Sequence, residues 1–161
     1  HADPHARGAF VGLTIRHGRG HLIRSVLEGV AFGLRDALEI IRARGIPVTQ
    51  VRVSGGGARS GLWRQILADT FALDVVTVSA TEGAAYGAAL LAGVGAGVYA
   101  SVESACHATI TITEHVSSDP DRVAAYDPFY RLYTDLFLSL KPSMHALGGL
   151  AEVGQEIGGV Q

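Results

Sequence analysis

Val51-Arg52-Val53-Ser54-Gly55-Gly56-Gly57-Ala58-Arg59-Ser60 is a β-branched run that breaks into three glycines and then leads into an apolar, helix-spaced segment. It reads as strand, bare-backbone turn, helix. Glycine adopts positive φ at little cost and has no Cβ to hold a ligand away. A helix that begins just past such a turn presents unpaired N–H groups and the positive end of its dipole. A phosphate or a flat heterocycle can therefore sit directly on this backbone.

The neighbouring segments extend the pattern. Beyond the turn, a helix is expected from about Gly61 to Leu73, with Trp63, Ile66, Leu67 and Phe71 on its inner side. Asp74 to Ser79 reads as a second strand, short and apolar enough to be covered on both faces. A helix of mostly Ala, Gly and Leu follows from about Glu82 to Val98, and so little side-chain bulk calls for tight packing on a neighbour. Before the turn, Leu22, Ile23, Val26, Leu27, Val30, Leu34, Leu38 and Ile41 form one stripe at helical spacing. Gly45 and Pro47 end that helix. Gly29 and Gly33 inside it each cost roughly 1 kcal/mol against alanine, so a neighbour should approach that face closely.

Helix, strand, helix, strand, helix with short links predicts an α/β chain with few parallel strands flanked by helices and right-handed crossovers. Two strands do not make a stable sheet, so further strands are expected from outside this sequence. After Tyr99 the pattern loosens. Ser101 reads as the N-cap of a short helix to His107, and Thr109-Ile110-Thr111-Ile112-Thr113 alternates as an edge strand does. Asp119-Pro120 and Asp127-Pro128 both carry an N-cap followed by a first-turn proline, and the second is expected to open a terminal helix. That helix presents Phe129, Leu132, Tyr133, Leu136, Phe137 and Leu140 as one stripe, and Lys141-Pro142 kinks or ends it. Residues 148–161 read as a flexible, glycine-rich tail after a domain spanning 1–147.

The 48% apolar fraction and mean hydropathy of +0.27 are high for a domain of 161 residues. No apolar run approaches the ~18 residues of a membrane span, so the excess reads as buried contact surface and no membrane partner is expected. Scattered basic residues and a net charge of −2 exclude a nucleic-acid footprint. A single cysteine, Cys106, forms no internal disulfide and fits a reducing, cytoplasmic setting. The chain begins at His1, carries Met144 as its only methionine and shows no signal segment, so it reads as a piece of something larger.

Three glycines after a strand also serve as a plain structural turn. A dinucleotide fingerprint would need glycine where Ser60 stands and an acidic residue where Ser79 stands, and a P-loop would need a lysine followed by Ser or Thr, whereas Lys141 is followed by Pro142. His17 and His21 have the spacing of a zinc pair, but Gly18 and Gly20 argue against a rigid shared face. Exposed or hydrogen-bonded histidines are the preferred reading there, and His1 with His5 is a weaker pair still. Glu28, Asp69 and Glu82 read as solvated or capping carboxylates. No general base with a partner is recognisable, and neither a catalytic residue nor a metal ligand is assigned.

Gly8-Ala9-Phe10-Val11-Gly12-Leu13, followed after a loop by His21-Leu22-Ile23-Arg24-Ser25-Val26-Leu27-Glu28, resembles the second signature of the FGGY carbohydrate kinases. Asp3-Pro4-His5-Ala6-Arg7-Gly8 resembles its lead-in. Ser54 to Ser60, with Trp63-Arg64-Gln65-Ile66-Leu67-Ala68-Asp69 behind it, is similar to the adenosine motif of the xylulokinase branch, and Glu82 to Ala89 is similar to the alanine-glycine helix that follows there. The resemblance covers about His1 to Leu147.

The resemblance implies the C-terminal part of an actin-like, ribonuclease H-like ATPase domain. The activity it implies is transfer of the γ-phosphoryl of MgATP to a small-molecule sugar, D-xylulose above all, with other pentuloses, glycerol or a hexonate as alternatives. Gly56, Gly57 and Ala58 are implied to lie against adenine and ribose or the α-phosphate, with Gly55 setting the turn and Ser60 standing where relatives often carry Asn to bond the adenine. Gly12, His21 and Glu28 are implied to be structural. The family's Asp-Gly-Thr phosphate segment, sugar pocket and catalytic aspartate, which also hold Mg²⁺, are absent, so the chain is expected to need a missing N-terminal domain and to be inactive alone. A non-catalytic nucleotide-binding or association module is the rival reading, and a homo-oligomer stays open.

Overall fold

The computed structural model of the chain describes residues 3–80 and 83–158, with side chains described through residue 150. His1 and Glu82 lie outside these. The order is α1 (Arg19–Ala43), β1 (Gln50–Val53), a single 3-10 turn (Gly56–Arg59), α2 (Gly61–Phe71), β2 (Asp74–Val78), α3 (Gly83–Gly95), α4 (Val102–Thr109), β3 (Ile112–Val116) and α5 (Pro120–Gly158). Strand, glycine turn and helix thus follow one another over 50–71 as the sequence expects.

β1 pairs parallel with β2, Val51 opposite Val75, and β2 pairs antiparallel with β3, Val75 opposite Val116. The sheet is therefore mixed, in the order β1-β2-β3, where the alternation alone predicts parallel strands. β3 also starts three residues later than the Thr109–Thr113 alternation suggests. Ser101 and Ser104 form a reciprocal capping box at the start of α4, and Thr109 Oγ1 donates back to the Ala105 carbonyl at 2.7 Å. A well-capped helix takes Thr109, and pairing begins only at Ile112.

Two compact units divide the chain: Val26–Asp127, and the chain up to Ser25 together with the chain from Pro128 on. The core of the first joins Ala31 and Leu38 of α1 to Ile66, Leu67, Ala68 and Phe71 of α2 and to Val75 of β2. The α2 stripe behaves as its spacing requires, with Ile66 only 1% exposed. Val75 and Val76 are fully buried, which accounts for the unbroken apolar run in β2.

The α1 stripe does not. Leu38 is buried and Leu27 packs at the core edge, but Ile23, Val26, Val30, Leu34 and Ile41 are exposed. The core takes Ala31, and Phe32 is buried with Tyr126 against its ring. A three-stranded sheet is too small to cover the whole apolar arc of a helix this long. No atom among the described residues comes within 4 Å of a Cβ built on Gly29, so at Gly29 the close neighbour expected on that face is not found among them. In α3, likewise, Gly93 makes room for the Tyr99 ring, 3.0 Å from where its Cβ would stand, whereas Gly83 and Gly87 face open space.

The terminal helix begins at the first Asp-Pro pair, not the second. Asp119 Oδ1 accepts the N–H groups of Asp121 and Arg122 at 3.0 and 3.3 Å, which caps α5 before Pro120. Pro128 and Pro142 consequently sit inside α5, each removing one backbone hydrogen bond. The backbone from Gly148 to Gly158, read from the sequence as a glycine-rich tail, continues the same helix.

Candidate functional site

β1 delivers the chain to Gly55, whose φ of 80° and ψ of −169° belong to a region that only glycine occupies comfortably. The 3-10 turn Gly56–Arg59 follows, tied by Ala58 N–H to the Gly55 carbonyl and Ser60 N–H to the Gly57 carbonyl. Ser60 then caps α2, its Oγ accepting the Trp63 N–H at 3.3 Å. This turn forms one wall of a cleft of about 250 Å³ beyond the carboxyl ends of β1 and β2. Open sheets bind ligands at that end of their parallel strands.

Of the residues the sequence picks out, Gly55, Gly56 and Ala58 line the cleft. A Cβ on Gly56 would meet nothing within 4 Å, so the backbone there is an open cradle that any side chain would begin to fill. Gly57 turns the other way: its Cβ would lie 3.4 Å from the Trp63 indole. Ser60 is engaged as the α2 cap.

Sequence reasoning missed Arg59, Arg64, Thr77, Thr113 and Glu114, all of which reach the cleft. Arg64 is 8% exposed and donates from its two terminal nitrogens to the Ala58 carbonyl and to the Glu114 carboxylate. Thr77 and Thr113 share a hydroxyl hydrogen bond of 2.8 Å across β2 and β3. Arg59 is exposed, with no hydrogen bond or ion pair to its side chain among the described residues. The one signal for Arg64 was a cation beside Trp63 on the inner side of an apolar helix. Glu114 carried none, since it depends on the register of β3.

The remaining candidates have local partners. His17 Nδ1 accepts the Thr14 N–H at 2.9 Å and His21 Nδ1 the Gly18 N–H at 3.2 Å, so both rings organise the approach to α1. Gly12 has φ of 80° in the same loop. Tyr126 donates to Glu28 at 2.7 Å. Asp69, 2% exposed, accepts from the Gln65 amide and the Asp119 backbone. Among the described residues no cluster of three or more His, Cys, Asp or Glu is placed to hold a metal ion, and no helix is long and apolar enough to cross a membrane.

Elsewhere, Asp3 meets His145 Nε2 at 2.9 Å and Lys141 Nζ at 3.4 Å. The hydrogen bond from His145 leads the causes that hold the Asp3 carboxyl down at about 2. The side-chain hydrogen bond from Arg122 likewise lowers Asp119.

The family described as the FGGY family of carbohydrate kinases, C-terminal domain, matches residues 1–96. The xylulose kinase of Escherichia coli K12 is 40% identical over 146 residues, which cover 89% of this chain and 30% of the relative. The gluconokinase of Bacillus subtilis is 40% identical over 90 residues, covering 55% of this chain and 18% of that protein. The crystal structure of xylulose kinase from Rhodospirillum rubrum superposes with a TM-score of 0.79 at 34% identity, covering 89% of this chain and 29% of that one. The chain thus spans less than a third of the length of these proteins.

Proposed function

The chain belongs to the FGGY family of carbohydrate kinases, and from that membership we propose that it supplies the nucleotide-side wall of an ATP-dependent sugar kinase whose acceptor is D-xylulose. The observation that carries this reading is the glycine turn itself. Gly55 holds a conformation closed to other residues and Gly56 bares its backbone to the cleft, immediately before the N-terminus of α2. Such a corner favours a flat base or an anion over a side chain.

The cleft is below the ~300–1,000 Å³ of a complete small-molecule site, so it takes part of a nucleotide, with the rest held by residues outside this chain. MgATP, when bound, supplies the phosphoryl group. The residues of this chain bind and orient: Gly55, Gly56 and Ala58 give the surface, and Arg59 offers an exposed cation at its rim. Phosphoryl transfer depends on positioning and charge stabilisation from all sides of the site, so the chain alone binds nucleotide weakly and transfers nothing. The exposed Val30 and Leu34 face of α1 suits a surface that further chain covers in the whole enzyme. D-Xylulose is preferred to gluconate because the sequence of the xylulose kinase relative aligns with 89% of this chain and that of the gluconokinase relative with 55%.

Titrating the 161-residue chain with MgADP and following backbone amides by NMR tests the site. Shifts concentrated at Gly55, Gly56 and Ala58 are expected, and shifts elsewhere only would overturn the assignment. Phosphorylation of xylulose by the isolated chain would overturn the claim that the site is incomplete. An enzyme containing this chain that prefers gluconate or glycerol would overturn the acceptor.

A further inference from the structure

We propose that Arg64 is the positioning residue of this site, clamping the glycine turn to β3 through Glu114; the inference rests on the nucleotide reading above. The guanidinium enters from the first turn of α2 and is all but enclosed. One terminal nitrogen donates to the Ala58 carbonyl, within the 3-10 turn, and the other to the Glu114 carboxylate on β3. Its Nε–H is buried with no acceptor among the described residues. Enclosing a guanidinium with one donor unmatched is unfavourable unless its other contacts give something back. What they give is geometry: a planar fork spans two acceptors fixed by different elements.

The consequence falls on the cradle. The turn has no side chains of its own to brace it at Gly55, Gly56 and Gly57, and its internal hydrogen bonds are the two from Ala58 and Ser60 together with those of a single 3-10 turn. Pulling the Ala58 carbonyl toward Arg64 fixes the far end of the turn, while the Gly55 backbone conformation fixes the near end. Gly56 is held between them, facing the cleft. Because Glu114 neutralises Arg64, the clamp adds no net charge to the wall, and anion attraction is left to Arg59. Arg64 therefore acts on base and phosphate alike, through the backbone. Glu114 is 58% exposed at its side chain, so the clamp can be loosened from outside without opening the core.

The test uses the 161-residue chain in two arms. Without ligand, Glu114→Gln is expected to speed hydrogen exchange of the Ala58 and Ser60 amides by about fivefold or more, and by more than the β1 and β2 amides, whose exchange follows only what the urea midpoint loses once Arg64 is left without its counter-charge. With adenosine, which carries no charge, as probe, Glu114→Gln is expected to weaken binding by a similar factor, whereas MgADP is expected to weaken less because the uncovered Arg64 cation attracts its phosphates. Arg64→Lys, which keeps the charge but cannot span both acceptors, is expected not to rescue either readout. Unchanged exchange in Glu114→Gln, or full rescue by Arg64→Lys, would overturn the clamp. If the wild-type chain shows no response to either probe, the nucleotide reading fails on its own, and the exchange arm still decides whether Arg64 positions the turn.

Discussion

Asp69 Oδ1 accepts the backbone N–H of Asp119 at 2.9 Å, so a buried carboxylate on α2 holds the residue that caps α5. The same oxygen accepts from the Gln65 amide at 2.8 Å, and Oδ2 faces Arg122 at 3.5 Å. Replacing it by alanine leaves the part-buried Asp119 N–H without its acceptor, while Gln65 keeps the Ser117 carbonyl and Arg122 keeps Asp119. Asp69→Ala is expected to cost about 2–3 kcal/mol, and Asp69→Asn, which keeps an acceptor oxygen, about 1 kcal/mol. Urea unfolding midpoints of the two variants check this, and equal losses would show that charge rather than acceptor geometry matters.

Two neighbouring glycines separate folding from binding. Gly55 has φ of 80° with extended ψ, and its Cβ would meet nothing, so Gly55→Ala is opposed by backbone strain alone, about 1–3 kcal/mol. Gly56 carries no such φ and also has open space, so Gly56→Ala is expected to leave stability within about 0.5 kcal/mol. Its methyl group would nevertheless occupy the cleft wall, and MgADP binding should fall. Thermal melts beside NMR titrations separate the two effects; a Gly56→Ala chain that binds as well as wild type would remove Gly56 from the site.

What was readable in the sequence follows from the range of the forces involved. The turn at 54–60, the α2 stripe and the Ser101 cap depend on residues within a few positions of one another, and each stands where local rules put it. The α1 stripe gave a helix but not which side is covered, since Val30 and Ala31 are told apart only by what packs on them. The two Asp-Pro pairs carry the same local signal, and Asp69, fifty residues away, bonds the backbone of the first. Arg64 and Glu114 escaped for the same reason: their meeting depends on the antiparallel register of β3 against β2.

Arg59 ends the 3-10 turn as an exposed cation at the rim of the cleft, with no ion pair among the described residues. If it meets the phosphates, Arg59→Gln should weaken MgADP by roughly tenfold, about 1.5 kcal/mol for a charge-assisted hydrogen bond, and leave adenosine nearly unaffected. The adenosine-to-MgADP affinity ratio, measured on the same chain, is the readout. Equal weakening of both ligands would place Arg59 with the turn's architecture instead.

Asp3 ties the start of the chain to α5 through His145 and Lys141, and its carboxyl titrates at about 2 instead of 3.8. A folded-state value below the unfolded one means the contact stabilises the charged carboxylate. Its contribution is complete above the unfolded value and is lost as pH falls from about 4 through about 2. The leading cause is the hydrogen bond from His145, with the Lys141 contact a smaller one. His145→Ala should therefore move the Asp3 midpoint back toward 3.8, and Lys141→Ala should move it less. Carboxyl ¹³C shifts followed from pH 6 to pH 1.5 check both. A midpoint near 3.8 in the wild-type chain would show that Asp3 is not held against α5 in solution.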